Sequence, residues 1–125
     1  MNNEEKIRPI SPHLGIYKHQ ITSVLSIAHR ITGFILFCSF IIISWWLILA
    51  IFSDFRECYF KLFSCNMVKL GLLGMLFSLF YHTTNGVRHL CWDLGYGFEI
   101  KTVEKTGWTV VLVSILSTLL FWLIS

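Results

Sequence analysis

The chain has 125 residues, of which 55% are hydrophobic, 16% aromatic and 14% charged, with a formal net charge of +3. Soluble domains carry about 25% charged residues, so the composition excludes a soluble enzyme, and the dispersed Lys and Arg residues give no basic patch for nucleic acid. The length allows one domain. We therefore expect any site for a sizeable ligand to be shared with partner subunits.

Three stretches of the sequence contain no Asp, Glu, Lys or Arg, and each reaches the roughly 18 residues that a membrane-spanning helix needs. They are 31–52, 70–87 and 106–125. Backbone groups in lipid must be satisfied within the segment, which favours helices. The sequence thus predicts an all-α integral membrane protein with three transmembrane helices, at about 23–52, 67–92 and 106–125, as part of a heteromeric helix bundle.

The segment before the first helix differs from the rest of the chain. It contains Glu4 and Glu5 and no early apolar core, so neither a cleavable signal peptide nor a mitochondrial presequence is predicted. Pro9 and Pro12 disfavour a helix and suit an extended contact strand. We expect a gene of bacterial or organelle origin.

The positions of the basic residues predict the orientation in the membrane. If the amino terminus lies on the inner side, seven of the ten Lys and Arg residues fall on that side and three on the outer side. This distribution satisfies the positive-inside rule. The start of the first helix and the end of the second then lie in the same leaflet.

The first predicted helix carries polar groups near its start. Ser26 and Arg30 are four residues apart and share one face, with Gly33 nearly one turn further along. A guanidinium and a hydroxyl can together hold a carbonyl or carboxylate oxygen, as in a quinone head group or a propionate. The alternative for Arg30 alone is an anchor that snorkels to the interface.

The second predicted helix contains His82 within an otherwise apolar span. At 100° per residue, a narrow stripe combines this imidazole with small side chains and a second histidine: Gly71, Ser78, His82, Gly86 and His89. Small residues allow a flat macrocycle to approach, and neutral imidazole is an axial ligand of haem iron. The alternative is a buried histidine that only hydrogen-bonds a neighbouring helix, with the glycines packing helices.

A haem with two protein ligands requires a second histidine on the opposite face. His89 lies on the same side of the helix as His82 and cannot supply it, and His29 is near the predicted membrane surface. We therefore expect the second ligand from another chain.

These residues belong to motifs that closely resemble those of the cytochrome b (b556) membrane-anchor subunits of succinate dehydrogenase, respiratory complex II. The resemblance covers most of the chain from Arg8 onward. It is carried by Arg8-Pro9-Ile10-Ser11-Pro12-His13-Leu14, by Ser26-x-x-His29-Arg30-x-Thr32-Gly33, and by His82-x-x-x-Gly86-Val87-Arg88-His89-Leu90-x-Trp92-Asp93-x-Gly95.

The resemblance implies a role for each matching residue. His82 would be one axial ligand of haem b, with the other supplied by the small partner anchor. Ser26 and Arg30 would line the ubiquinone site. His29, Arg30 and His89 would lie near the haem propionates.

The resemblance also implies partners and a location. Residues 1–22 would dock the iron–sulfur subunit at the inner face, and residues 23–125 would form the haem and quinone anchor domain. The chain would be a non-flavin subunit, not an enzyme by itself, that joins the small anchor, iron–sulfur and flavoprotein subunits. It would lie in a bacterial or mitochondrial inner membrane with its amino terminus in the cytoplasm or matrix.

Two other functions remain open from the residues alone. One is a purely structural anchor without haem, and the other is a small transporter subunit lined by Arg30, His82 and Arg88, which the lack of an internal repeat disfavours. For Asp93 we expect an ordinary ion pair with Arg88.

Overall fold

The computed structural model describes residues 20–52, 61–62 and 64–124. Within these ranges the chain forms three long helices and no strand, which confirms the predicted all-α class. The helices are α1 (Ile21–Phe52), α2 (Asn66–Asp93) and α3 (Ile100–Ile124).

The third helix begins earlier than predicted, at Ile100 instead of residue 106. The prediction began at the end of the charged stretch, because charge limits how far a segment extends into lipid. Charge does not prevent a helix, however, and Lys101, Glu104 and Lys105 lie in the first turns of α3. The helix is thus longer than its apolar part.

Two of the three helices, α1 and α3, are long and apolar enough to cross a membrane by length and composition. The helix α2 has 28 residues, enough for about 42 Å at 1.5 Å per residue, but its mean hydropathy is lowered by consecutive polar residues at 82–85. Those residues lie in the half of α2 that carries the candidate site.

A tight turn ends α2 and starts the connection to α3. Gly95 has φ 85° and Gly97 has φ 83°. This is a left-handed backbone conformation that residues with a Cβ rarely adopt. The N–H of Gly95 donates to the carbonyl of Trp92 at 2.8 Å, and the N–H of Leu94 donates to Leu90 at 3.1 Å. These bonds satisfy carbonyls at the helix end.

The helix α2 packs against both α1 and α3, which touch each other less. The few buried hydrophobic residues are Leu25, Tyr81 and Val110, one from each helix. The Tyr81 hydroxyl donates to the carbonyl of Leu25 at 3.0 Å, which joins α2 to α1. Gly107 lies so close to Leu25 that a Cβ there would be 2.8 Å from its Cδ1.

Polar and small side chains fill much of the interior, whereas large apolar side chains face outward. On α3 the buried residues are Gly107, Val110, Ser114 and Thr118, and the Ser114 hydroxyl is satisfied by the carbonyl of Val110 at 2.6 Å. Phe34 and Phe40 of α1 are 68% and 72% exposed. This distribution suits helices that pack closely through small residues and present their apolar faces to lipid.

Candidate functional site

Three histidines lie together where α1 packs against α2. The rings of His29 and His82 are stacked, with centroids 3.9 Å apart and planes 4° from parallel. The centroid of the His89 ring lies 5.3 Å from that of His29, and the two rings are tilted by 45°. His29 of α1 therefore contacts both His82 and His89, the two predicted site histidines of α2.

Hydrogen bonds to α1 orient the His82 ring. Its Nδ1 lies 3.2 Å from the backbone carbonyl of His29 and 3.4 Å from the Thr32 hydroxyl oxygen. A carbonyl can only accept, so Nδ1 carries the proton and Nε2 carries the lone pair. Nε2 forms no hydrogen bond with any residue that the structure describes, and is thus available to a metal.

A glycine on the opposite helix makes room for this ring. A Cβ at Gly33 would lie 2.9 Å from Cε1 of His82, and one at Gly86 would lie 3.9 Å from Cε1 of His29. Gly71 and Gly74 have no neighbour within 4 Å of such a Cβ. The glycine that contacts His82 is hence Gly33 of α1, which the sequence analysis grouped with Ser26 and Arg30.

Among the described residues, His82 is one candidate metal ligand, but no complete metal site is present. No group of three or more His, Cys, Asp or Glu in this part of the chain is arranged to hold a metal ion. His29 cannot oppose His82 across one iron, because opposed ligands point their nitrogens at each other whereas these two rings are stacked. His29 and His82 are therefore not placed to hold one metal between them in this arrangement.

The His29 side chain is incompletely satisfied. Its Nδ1 is buried and has no hydrogen-bond partner. Buried polar atoms without a partner are uncommon in proteins, and this nitrogen can bond an oxygen acceptor or donor from a ligand. The unpaired atom lies in the same cluster as the free Nε2 of His82.

Ser26 and Arg30 lie on a different face of α1. Arg30 is about 100° round the helix from His29; Arg30 is exposed and Ser26 half-buried. Neither side chain has a hydrogen bond or ion pair to the described residues. The structure thus leaves Arg30 exposed and Ser26 partly accessible, both without a partner among the described residues.

The expected ion pair between Arg88 and Asp93, both of which the structure describes, is not present, because the guanidinium bonds α3 instead. Arg88 is 7% exposed, and its guanidinium donates to α3, through Nε to the Thr106 hydroxyl at 3.1 Å and through Nη2 to the Val103 carbonyl at 2.9 Å. It also lies 4.1 Å over the Trp92 ring. Arg88 is about 120° round α2 from His82, so a shared depth does not bring the two together.

Sequence reasoning missed the polar residues that accompany Arg88. Asn85 is fully buried; its Oδ1 accepts from Nη1 of Arg88 at 3.5 Å, and its Nδ2 has no partner. The signal was present in the spacing, because Ser78, Tyr81, Asn85 and Arg88 recur every three or four residues and form the buried face of α2.

The amino-terminal docking segment cannot be placed in the same way. Of the proposed segment 1–22, residues 1–19 lie outside the described part of the chain.

Comparison with known proteins places the chain in a family. Residues 4–121 match the profile of the succinate dehydrogenase/fumarate reductase transmembrane subunits. The chain is similar to the succinate dehydrogenase cytochrome b556 subunit of Rickettsia felis, with 52% identity over 92% of this chain and 90% of that protein. It is 54% identical to that of Rickettsia prowazekii over the same shares.

A more distant relative agrees. The succinate dehydrogenase cytochrome b560 subunit of Reclinomonas americana is 42% identical over 94% of this chain and 85% of that protein. Together with the three-helix fold, these matches show that the chain belongs to the family of succinate dehydrogenase/fumarate reductase transmembrane subunits.

Proposed function

We propose that the chain is the cytochrome b membrane-anchor subunit of succinate:ubiquinone oxidoreductase, and that it contributes one axial ligand of haem b and part of the ubiquinone-reduction site. The observation that carries the proposal is the state of His82, whose Nδ1 is held by a carbonyl while its Nε2 is free. A metal-binding histidine in proteins commonly donates its other ring N–H in this way.

The residues around His82 fit a haem. Bound haem would supply a one-electron redox centre whose potential the protein sets through ligands, hydrogen bonds and burial. His82 would bind the iron through Nε2. His29, with its unpaired Nδ1, together with His89 and Arg30, would offset the charge of the propionates.

The partner anchor supplies the second ligand in this proposal. Because the His29 ring stacks on the His82 ring, His29 cannot be the second axial ligand. A haem held by one ligand from each of two chains also agrees with the small size of this chain.

Ser26 and Arg30 form this chain's part of the quinone site. The guanidinium offers fixed donors to a quinone oxygen and stabilises negative charge as the head group is reduced, while the Ser26 hydroxyl orients a carbonyl oxygen. Arg30 is exposed and Ser26 is half-buried, so a partner subunit can complete the pocket around them. Their lack of described partners supports a role in binding.

The proposal includes the rest of the complex. The small anchor, iron–sulfur and flavoprotein subunits of succinate dehydrogenase are the partners, and residues 1–22 dock the iron–sulfur subunit. The distribution of basic residues supports an amino terminus on the inner side, in the cytoplasm or matrix. The membrane is accordingly an inner membrane.

Replacing Arg30 tests the quinone site. For the Arg30→Leu variant in the purified complex, we expect succinate oxidation by artificial acceptors to remain nearly intact and ubiquinone reduction to fall at least tenfold, about 1.4 kcal/mol of lost transition-state stabilisation. Both rates are measured on one preparation.

A matched control removes a basic group elsewhere. Lys69 is exposed near the start of α2, at the opposite end of that helix from His82, and Lys69→Leu should leave both rates unchanged. An equal loss of both activities in Arg30→Leu would contradict a direct role in quinone binding and indicate failed assembly.

A further inference from the structure

One interaction next to His82 involves a residue that is neither a proposed haem ligand nor a proposed quinone-site residue. We propose that Thr32 is a positioning residue for His82, and that its hydroxyl oxygen, with the carbonyl of His29, holds the Nδ1–H and so sets the ring orientation and the donor strength of Nε2. This inference rests on the proposed role of His82 as a haem ligand.

The hydrogen bonds of Thr32 decide which atom donates. Its hydroxyl lies 2.9 Å from the carbonyl of Ala28 and 2.9 Å from the carbonyl of His29. Both are acceptors, so the single hydroxyl proton points at them. The Thr32 oxygen therefore presents a lone pair to Nδ1 of His82, 3.4 Å away.

The Nδ1–H of His82 is consequently shared between two acceptors. The His29 carbonyl is nearer at 3.2 Å, and the Thr32 oxygen is the weaker second acceptor. Gly33 allows the ring to lie this close to α1, since a Cβ there would be 2.9 Å from Cε1. Thr32 and Gly33 are neighbours on α1, so one turn of this helix fixes both the position and the polarity of the imidazole.

Acceptors on a coordinating imidazole make it a stronger donor to the metal. A stronger donor favours the oxidised iron, and a lost acceptor favours the reduced iron. Removing the Thr32 hydroxyl should therefore raise the midpoint potential of the haem. The change should be modest because the His29 carbonyl remains.

A hydroxyl that bonds the preceding helical turn is by itself an ordinary structural feature. Thr118 of α3 makes the same kind of bond, to the carbonyl of Ser114 at 2.7 Å. Its exposure of 5% is close to the 7% of Thr32. Thr118 lies in α3 and forms no hydrogen bond with His82, so Thr118→Val is the matched control for Thr32→Val.

The test is a spectroelectrochemical titration of the haem in the purified, intact complex, together with the EPR signal of the ferric state. For Thr32→Val we expect the ratio of reduced to oxidised haem at the wild-type midpoint to rise about two- to tenfold, where tenfold is about 59 mV for one electron. The ferric EPR signal should shift. Thr32→Ser, which keeps the hydroxyl, should restore the wild-type values, and Thr118→Val should retain them.

Wild-type potential and EPR signal in Thr32→Val would overturn the inference, as would equal shifts in Thr32→Val and Thr32→Ser. If Thr32→Val does not assemble, Thr32→Ala gives the same comparison with a smaller side chain. His82→Ala separates the two proposals. If haem persists in His82→Ala, His82 is not the ligand and the proposed function of this residue fails. If haem is lost in His82→Ala but the Thr32 variants keep the wild-type potential and EPR signal, only the role of Thr32 fails.

Discussion

The imidazole of His82 is held by backbone and hydroxyl groups of α1, and by no charged side chain. The carbonyl of His29 accepts from Nδ1, and Gly33 lets the ring lie against α1. Such a contact between helices can orient the ring before any ligand binds. At the residue scale, the absence of a side chain at Gly33 allows the imidazole of His82 to lie against α1.

A methyl group at Gly33 should disturb the His82 ring. The added Cβ of Gly33→Ala would lie 2.9 Å from Cε1, so the ring has to move and its hydrogen bond to His29 lengthens. We expect the ratio of haem to protein in the purified complex to fall at least twofold. The measurement is a haem extraction assay against total protein.

The control for this prediction is another helical glycine. A Cβ at Gly74 meets nothing within 4 Å in this chain, so Gly74→Ala should keep the wild-type haem content. A Gly33→Ala complex with full haem content and an unchanged EPR signal would show that the close approach is not needed.

At the scale of helices, Arg88 joins α2 to α3. Its guanidinium bonds the Thr106 hydroxyl and the Val103 carbonyl and contacts the Trp92 ring. None of these partners is a carboxylate. The interaction thus depends on fixed hydrogen-bond geometry, to which the planar guanidinium is suited.

Loss of this interaction should weaken the attachment of α3. Hydrogen bonds to a charged group contribute about 1.5 to 3 kcal/mol each, so Arg88→Leu should lower the stability of the complex by about 2 kcal/mol or more. The measurement is thermal unfolding in detergent followed by circular dichroism. Lys69→Leu, which removes an exposed cation, should unfold at the wild-type temperature.

An Arg88→Leu complex as stable as the wild type would contradict this role of the guanidinium. Arg88→Lys should be intermediate, because an ammonium group cannot reach the Thr106 hydroxyl and the Val103 carbonyl with the same fork of donors.

Much of the helical structure was predictable, for reasons visible in particular residues. The uncharged stretches located all three helices, because charge is expensive in lipid, but they did not locate the start of α3 at Ile100. Nor did the sequence indicate that Arg88 bonds α3 and not Asp93. Depth along a helix groups residues by turn, whereas contacts depend on the angle around the axis, and Arg88 and His82 differ by about 120°.

The residues of the site were easier to predict than the contacts between their side chains. The sequence placed His29, His82 and His89 near one another, but nothing in it indicated that His29 stacks on His82 or that Thr32 faces Nδ1. Those contacts depend on how α1 and α2 cross and on side-chain rotamers. The assigned roles of Ser26 and Arg30 stay predictions.

At the scale of the whole molecule, the described helices bury few large apolar side chains against one another. One large hydrophobic residue from each helix is buried, namely Leu25, Tyr81 and Val110. The exposed faces of the described helices are largely apolar, and Arg30, one of the two candidate quinone residues, is also exposed. The exposure of these large apolar side chains in the chain by itself is typical of helices that face lipid.

Haem binding should accordingly require the partner anchor. We expect membranes that contain this chain alone to show no low-spin ferric haem EPR signal of the type given by two histidine ligands, and membranes that contain both anchors to show it. Chain levels are matched by immunoblot. A full signal from this chain alone would contradict the shared site.

The most direct test of the account is the spectrum of the His82→Ala complex. We predict that the dithionite-minus-oxidised difference spectrum of the purified complex shows a b-type band for the wild type and for His89→Ala, and that the band is lost in His82→Ala. A b-type band that survives in His82→Ala would contradict the assignment of His82 as the haem ligand.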